Sequence, residues 1–253
     1  MLLKNKNVLI TGADGSIGYE ITTKFLSAGA NCICIDKNLK NLKKLSTKEK
    51  YTSQITKIKV DIRKEGSINN LFKKIKKKFK VHILINNAGY TSSKSFFKYD
   101  LKEWEKTLKI NLTAPFLITQ MISKYYMPSG GSIINITSLA AEQGFPNNVA
   151  YVASKGGLKQ LTKATAIDIS KKNIRVNSIG PGYVKTNMTK QSWNNSKKRK
   201  NRSERIISNR WAHPNDIANT CLFLGSDLSS YINGQEIYVD GGWLSKGLKN
   251  DKE

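Results

Sequence analysis

Short apolar runs alternate with longer stretches in which apolar positions recur every three or four residues, from one end of the chain to the other. The short runs lie at 8–11, 32–36, 56–60, 83–86, 132–137, 175–179 and 236–239. They are nearly continuous in apolar character, as in strands buried on both faces of a sheet. Helical periodicity occupies 17–28, 39–45, 67–79, 101–126, 150–171 and 214–224. Strand and helix in strict alternation predict an α/β fold: a doubly wound parallel sheet of about seven strands with helices on both faces. Two stretches break the pattern. Residues 187–213 are long, basic and contain tryptophan, which makes them a candidate lid rather than an idle loop. The polar tail at 246–253 is expected to fray. No Pro/Gly/Ser-rich linker divides the chain, so 1–245 is expected to be a single domain with the lid inside it.

The formal charge of +25 changes this picture less than its size implies. Lysines are spread over several predicted helices, at 40–50, 73–80 and 197–200, and run with many asparagines as a bias of the whole chain. A reader of nucleic acid would concentrate charge on one element with base-contacting residues, so no dedicated nucleic-acid partner is expected. Cys32 and Cys34 alternate within an apolar strand and Cys221 sits alone in a helical pattern, so all three read as small buried hydrophobes in a reducing compartment. With only His82 and His213 beside them, no zinc-ligand spacing occurs and no metal is expected. There is no apolar run of membrane-spanning length, and the first strand begins almost at the N-terminus, so the expectation is a cytoplasmic protein without a membrane partner.

Candidate chemistry centres on Tyr151 and Lys155, which a helix places one turn apart on one face. A neighbouring ammonium would stabilise a phenolate and bring its pKa down from about 10, fitting the phenol to exchange protons with an alcohol or carbonyl. The first predicted strand ends in Thr11-Gly12-Ala13-Asp14-Gly15-Ser16-Ile17-Gly18 and runs into a helix. Such a turn lets backbone approach a pyrophosphate held at the helix N-terminus, the geometry of dinucleotide binding. Asp36 closes the second strand, where a carboxylate accepts hydrogen bonds from ribose hydroxyls and repels a 2′-phosphate. NAD is therefore favoured, while Lys37 beside Asp36 offsets part of the repulsion and leaves NADP open.

From Asn7 to Trp243 the chain resembles the short-chain dehydrogenase/reductase family. The family's Thr-Gly-x-x-x-Gly-x-Gly signature falls on Thr11, Gly12, Ser16 and Gly18, with Ser16 at the middle glycine and Gly15 one place earlier. Asp61-Ile62 resembles the pair that holds the adenine, and Asn86-Asn87-Ala88-Gly89 the turn that supports the central strand and borders the adenosine ribose. The run from Asn177 through Pro181, Gly182 and Tyr183 to Val184-Lys185-Thr186 resembles the segment that orients the nicotinamide, with Val184 and Thr186 at its carboxamide. Val239-Asp240-Gly241-Gly242 resembles the family's C-terminal end. The resemblance implies a Rossmann fold, the proton-exchanging role for Tyr151, the ribose and pKa-tuning roles for Lys155, a substrate-oxygen hydrogen bond from Ser138, and a water held by Asn111 that links the lysine to solvent. Read without it, Asn111 is a mid-helix kink or polar contact. The resemblance also implies a homotetramer or homodimer packed through the long helices at 101–126 and 150–171.

The family varies its pocket, so the substrate does not follow from the fold. Ser92, Lys94, Gln143, Asn148 and Tyr183 are candidate polar lining, with Met188 and Trp193 covering from the lid. That set suits a polyol, a sugar or a sugar derivative. The run Lys197-Lys198-Arg199-Lys200-Asn201-Arg202 reads first as a solvated helix face; a ligand bound there would be anionic, such as a phosphorylated sugar, a nucleotide sugar or an acyl carrier protein. The alternative reactions are 3-oxoacyl-[acyl-carrier-protein] reduction and, in another class, a non-catalytic NAD-binding sensor or scaffold.

Overall fold

The computed structural model describes residues 1–46, 51–75 and 80–246. Strands β1 (Asn7–Thr11), β2 (Asn31–Asp36), β3 (Ile55–Lys59), β4 (Ile83–Asn86), β5 (Gly131–Ile136), β6 (Ile174–Pro181) and β7 (Glu236–Val239) form one 7-stranded sheet in the order β3-β2-β1-β4-β5-β6-β7. Every pairing is parallel. Each predicted strand is present, with its ends moved by a residue or two at most. The helices are α1 (Ser16–Ser27), α2 (Lys40–Ser46), α3 (Glu65–Lys74), α4 (Leu101–Leu108), α5 (Ala114–Tyr125), α6 (Val149–Asp168), α7 (Lys190–Asn194), α8 (Ser196–Ser203) and α9 (Pro214–Gly225).

The near-continuous apolar strands are explained by two cores. Val8, Ile10, Cys32, Cys34, Ile83, Ile85, Ile134, Ile136 and Ile179 point into one, beneath α1 and α9. Their neighbours Leu9, Ile35, Leu84, Ile133 and Val176 point into the other, with Ile68, Leu71, Ile118 and Ile122 of α3 and α5. Strand side chains alternate in direction, so a strand covered on both faces must be apolar at consecutive positions. The three cysteines are free and buried in the first core, as expected.

Three predicted helices differ from those observed. The stretch 101–126 is interrupted by a π-helical turn, Lys109–Thr113, because Pro115 has no N–H to offer the carbonyl four residues back, that of Asn111. The helix over 150–171 stops at Asp168, followed by a 3₁₀ turn, and Asn173 in the left-handed region (φ 56°) turns the chain into β6. Helix α3 stops at Lys74, with Ile75 extended, short of the predicted end of 67–79; residues 76–79 and the tail from 247 lie outside the described residues. Residues 187–213 hold α7 and α8, and an isolated bridge between Val184 and Ala212 joins their two ends.

The strand order reverses between β1 and β4, the point at which connections leave to opposite faces and open a crevice beyond the carboxyl ends of the strands. Chain order along the sheet therefore collects, at one edge, the segments that follow β1, β2, β3, β4, β5 and β6.

Candidate active site

The turn after β1 is braced by its neighbours. Thr11 Oγ1 accepts hydrogen bonds from the Asn87 and Ala88 N–H groups (both 3.1 Å), and Asn87 Nδ2 donates to the Thr11 and Gly12 carbonyls (both 3.0 Å). Gly12 has φ +64°, a conformation L side chains rarely adopt. At the N-cap of α1, Gly15 supplies no side-chain cap, so the first-turn N–H groups of the helix face the crevice without a capping acceptor. Ser16, in the place of the expected middle glycine, fits and acquires a use: its hydroxyl accepts from the Asn187 N–H at 3.2 Å and ties the start of the lid to the turn.

A cavity of about 880 Å³ spreads from this turn. Its wall includes Gly12, Asp14, Gly15, Ser16, Ile17, Gly18, Asp36, Asp61, Ile62, Asn87, Ala88 and Gly89, all named from sequence, together with Arg63, Tyr90 and Lys106, which were not. Asp36 accepts from the Asp14 N–H (3.0 Å) and the Asn38 N–H (3.1 Å). Burial holds its carboxyl above the usual carboxylate range, with those two hydrogen bonds opposing. The Asp14 side chain is engaged elsewhere: its Oδ1 accepts from the Leu42 N–H at 2.8 Å, so it anchors α2 while its backbone faces the cavity. Asp61 is paired with Arg63 at 2.6 Å, which holds its carboxyl low. Uncapped helix amides, a glycine turn with no room for side chains and a carboxylate at the end of β2 fit a dinucleotide.

A second cavity of about 660 Å³ adjoins the first, and Ile17, Asn87, Thr186 and Met188 belong to both walls. It is lined by Ser138, Tyr151, Lys155, Pro181, Gly182, Tyr183, Val184 and Asn148, all named from sequence. Ser138 follows β5 and begins a 3₁₀ turn, its Oγ accepting from the Ala140 N–H at 3.2 Å. Helix α6 is fixed against the sheet by a buried chain of amides and hydroxyls. Asn86 Nδ2 donates to Asn135 Oδ1 (2.8 Å), and Asn135 Nδ2 donates to Thr162 Oγ1 on α6 (2.9 Å).

Lys155 is 3% exposed and donates to the Ile136 carbonyl at 2.7 Å. Burial pulls its pKa down to about 8, with Glu236 acting in the opposite direction. Its Nζ lies 5.8 Å from the centre of the Tyr151 ring. The Tyr151 phenol is pushed above its ordinary pKa by burial, and the opposing influence is a hydrogen bond with Ser138. This differs from the expected downward shift caused by Lys155: the spacing is right, but the ammonium is turned to the β5 carbonyl. Asn111 sits fully buried in the π turn and is engaged with protein on both sides, accepting from the Tyr90 N–H (2.8 Å) and donating to the Tyr90 carbonyl (2.8 Å) and Ser154 Oγ (3.0 Å). The kink-and-polar-contact reading describes it, and its Oδ1 keeps one further acceptor position.

Four expected substrate contacts are corrected. Ser92 lies outside the cavity wall, to which its neighbours Thr91 and Ser93 belong, and its hydroxyl is engaged by Glu103. Gln143 accepts from Trp243 Nε1 at 3.2 Å and is not in the wall. Lys94 is paired with Asp100 at 2.5 Å. Trp193 faces away, packing edge-on against Trp211 with ring centres 5.4 Å apart. The wall also takes in Lys198 and Arg202 of α8, known from sequence only as part of a basic run.

A family model described as enoyl-(acyl carrier protein) reductase matches residues 12–244. A 3-oxoacyl-[acyl-carrier-protein] reductase of Aquifex aeolicus is 35% identical over 95% of this chain and 98% of its own. A 2-dehydro-3-deoxy-D-gluconate 5-dehydrogenase of Bacillus subtilis is 34% identical, covering 96% of each chain. A solved 4-hydroxyisoleucine dehydrogenase complexed with NADH superposes with a TM-score of 0.91 at 31% identity, over 96% of this chain and 100% of that one.

Proposed function

The chain belongs to the short-chain dehydrogenase/reductase family and is an NAD(P)-dependent oxidoreductase of CH–OH groups, and from that premise we propose that it interconverts a secondary alcohol and a ketone on a polyol, sugar or sugar derivative. The observation that carries the reading is the meeting of Ser138, Tyr151 and Lys155 in a cavity that shares walls with a dinucleotide-shaped one. The nicotinamide cofactor, when bound, supplies or accepts the hydride. Ser138 holds the substrate oxygen, Tyr151 gives that oxygen a proton during reduction and takes it back during oxidation, and Lys155 supplies positive charge behind the phenol. Asn111 acts through its neighbours, holding the Tyr90 backbone and Ser154 beside this group. In this proposal 1–245 works as one unit, with 187–213 as the lid. Apolar residues left exposed on α5 and α6, Phe116, Tyr125 and Ile167, support a two-fold assembly through those helices. Buried free thiols support a cytoplasmic setting, and no helix among the described residues is long and apolar enough to cross a membrane.

Similarity to the Aquifex aeolicus enzyme keeps 3-oxoacyl-[acyl-carrier-protein] reduction as the second reading. An activity screen with NAD(H) and NADP(H) across polyols, sugars, hydroxy acids and 3-oxoacyl thioesters separates the two. Turnover of thioesters alone would displace the sugar reading.

Asp36 is expected to favour NAD. Asp36→Asn keeps an acceptor for the Asp14 N–H and removes the charge, so the ratio of kcat/KM for NADP to that for NAD should rise by about 10- to 100-fold, since like-charge contacts at a binding site cost several kcal/mol. An unchanged ratio would remove Asp36 from cofactor selection.

The pH dependence should differ between directions. A phenol held above its ordinary pKa is protonated at neutral pH, the form that donates, while oxidation needs the phenolate. Oxidation is therefore expected to climb with pH. Carbonyl reduction should hold across neutral pH, where the phenol is protonated. Loss of the Lys155 proton near pH 8 should slow both directions by removing the positive charge behind the phenol. Rate profiles in both directions at saturating cofactor check this, and parallel profiles would contradict it.

A further inference from the structure

The basic run on the lid is divided by its helix. Arg199 turns outward, its guanidinium carbon 5.2 Å from the Trp193 ring and its Nη1 donating to the Trp193 carbonyl at 3.0 Å. Lys198 and Arg202, four residues apart and so on one face of α8, line the cavity that holds Ser138 and Tyr151. Arg202 is half-buried, with its guanidinium carbon 4.6 Å from the Tyr183 ring and 5.8 Å from the Trp211 ring. Tyr183 is in turn wedged between Trp211 and Trp243, at 5.1 and 4.8 Å between ring centres, so the platform under the guanidinium is held from behind.

The cations that α8 adds to this cavity are uncompensated. Lys155, Lys198 and Arg202 contribute to the wall, and no aspartate or glutamate does. Among the described residues neither Lys198 nor Arg202 has a carboxylate within ion-pair distance; the nearby acids are engaged elsewhere, Glu204 with Lys200 at 3.9 Å and Asp216 with Arg210 at 2.8 Å. The Arg202 guanidinium is held over the aromatic rings and hydrogen-bonded to the Tyr183 hydroxyl, which fixes its position and leaves its remaining N–H groups to grip an oxyanion. A neutral polyol in this cavity would leave those donors without a charged acceptor.

We propose that the Lys198–Arg202 face of α8 is an anion subsite of the substrate cavity, so that the substrate is a small hydroxy or oxo compound with a carboxylate or phosphate end group. The anionic end lies under the lid and the reacting carbon beside Tyr151. Arg202 is half-buried in the cavity wall and Lys198 stands at its exposed rim, so the pair addresses a small anion entering the cavity rather than the surface of a carrier protein. The proposal rests on the oxidoreductase reading of this cavity for its substrate, and on the cation pair alone for its binding chemistry.

Two measurements test it. Wild type and Arg202→Gln are compared with a sugar acid, a phosphorylated ketose and a neutral ketose as substrates, reading KM and kcat separately. For whichever anionic class is used, KM is expected to rise about 10- to 100-fold in the variant with kcat changed little, as for a lost charge-assisted hydrogen bond. KM for the neutral ketose and the affinity for NADH should stay within a few-fold. A sugar acid responding alone assigns carboxylate, and a phosphorylated ketose responding alone assigns phosphate. Equal KM for neutral and anionic substrates in wild type, an equal effect of the variant on both, or turnover of carrier-protein thioesters alone would overturn the subsite. The second measurement does not need turnover: succinate and, separately, inorganic phosphate are titrated while tryptophan fluorescence is followed, since Trp211 lies under Arg202. Saturation in wild type that Arg202→Gln removes upholds the subsite even if no alcohol is oxidised. No saturation with either anion, or the same curve in both proteins, overturns it even if a neutral alcohol is turned over.

Discussion

Tyr151→Phe is expected to lower kcat for alcohol–ketone interconversion by about 10²- to 10⁴-fold, the usual contribution of a positioned proton donor, while leaving NADH affinity within a few-fold. The substitution removes one oxygen and keeps the ring, so the packing of α6 against the sheet through Thr162 and Lys155 is untouched. What disappears is the phenol O–H that hydrogen-bonds Ser138 in the substrate cavity. Lys155 is poorly placed to take over, because its ammonium donates to the Ile136 carbonyl and lies 5.8 Å from the ring centre. Steady-state rates in both directions, with cofactor binding measured by calorimetry, decide the matter. A kcat within threefold of wild type would mean that the proton travels by another route, and no turnover in either protein alongside intact NADH binding would favour the sensor or scaffold reading.

How much of this was legible in the sequence depended on how local the geometry is. The glycine turn, Asp36, Asn87 and the Tyr151–Lys155 pair all lie at strand ends or on one helix face, where the backbone dictates direction. All of them line the two cavities. Ser138 was legible only through the family resemblance, since by pattern alone it is an ordinary serine at a strand end. Even the departure at Ser16 was a small-residue substitution, although its bond to the Asn187 N–H joins positions far apart in sequence and no local pattern announces it.

The substrate wall was harder to read because loops build it. Thr91 and Ser93 belong to the wall, but the Ser92 hydroxyl between them is engaged by Glu103 of α4, a partner that no local pattern announces. Gln143 looked available until Trp243, from the far end of the chain, took its carbonyl oxygen. The charge run on α8 carried the least information in sequence, since a run of cations marks neither face of its helix. Direction came from aromatic residues scattered from Tyr183 to Trp243, whose packing turns Arg199 outward and Arg202 inward. The effect of Lys155 on Tyr151 was also beyond the spacing, because i and i+4 fix a shared face but not where a long flexible stem ends.

Gly18→Ala is expected to weaken cofactor binding by about 10²-fold or more, the loss that follows when a binding group is displaced by about 1 Å. The added Cβ would lie 2.2 Å from the Gly12 carbonyl oxygen and 2.8 Å from both Ala13 Cα and Asn87 Nδ2. Two of those atoms are backbone, and the third is the amide that holds the Thr11 and Gly12 carbonyls, so nothing in contact can swing away. Relief requires α1 to move off the turn, which separates its uncapped N-terminal amides from Gly12 and opens the cradle for the pyrophosphate. Gly66→Ala on α3 serves as the contrast, because among the described residues nothing beyond its chain neighbours and its own helix backbone lies within 4 Å of its Cβ. That change should stabilise the helix by about 0.5–1 kcal/mol and leave binding alone. Thermal melts with and without NADH distinguish the two. Ligand at 100 times its Kd stabilises a fold by about 2.7 kcal/mol, so wild type and Gly66→Ala should both shift upward, while Gly18→Ala melts lower and shows little shift. A cofactor-induced shift in Gly18→Ala equal to that of wild type would mean that the turn is not where the pyrophosphate is held.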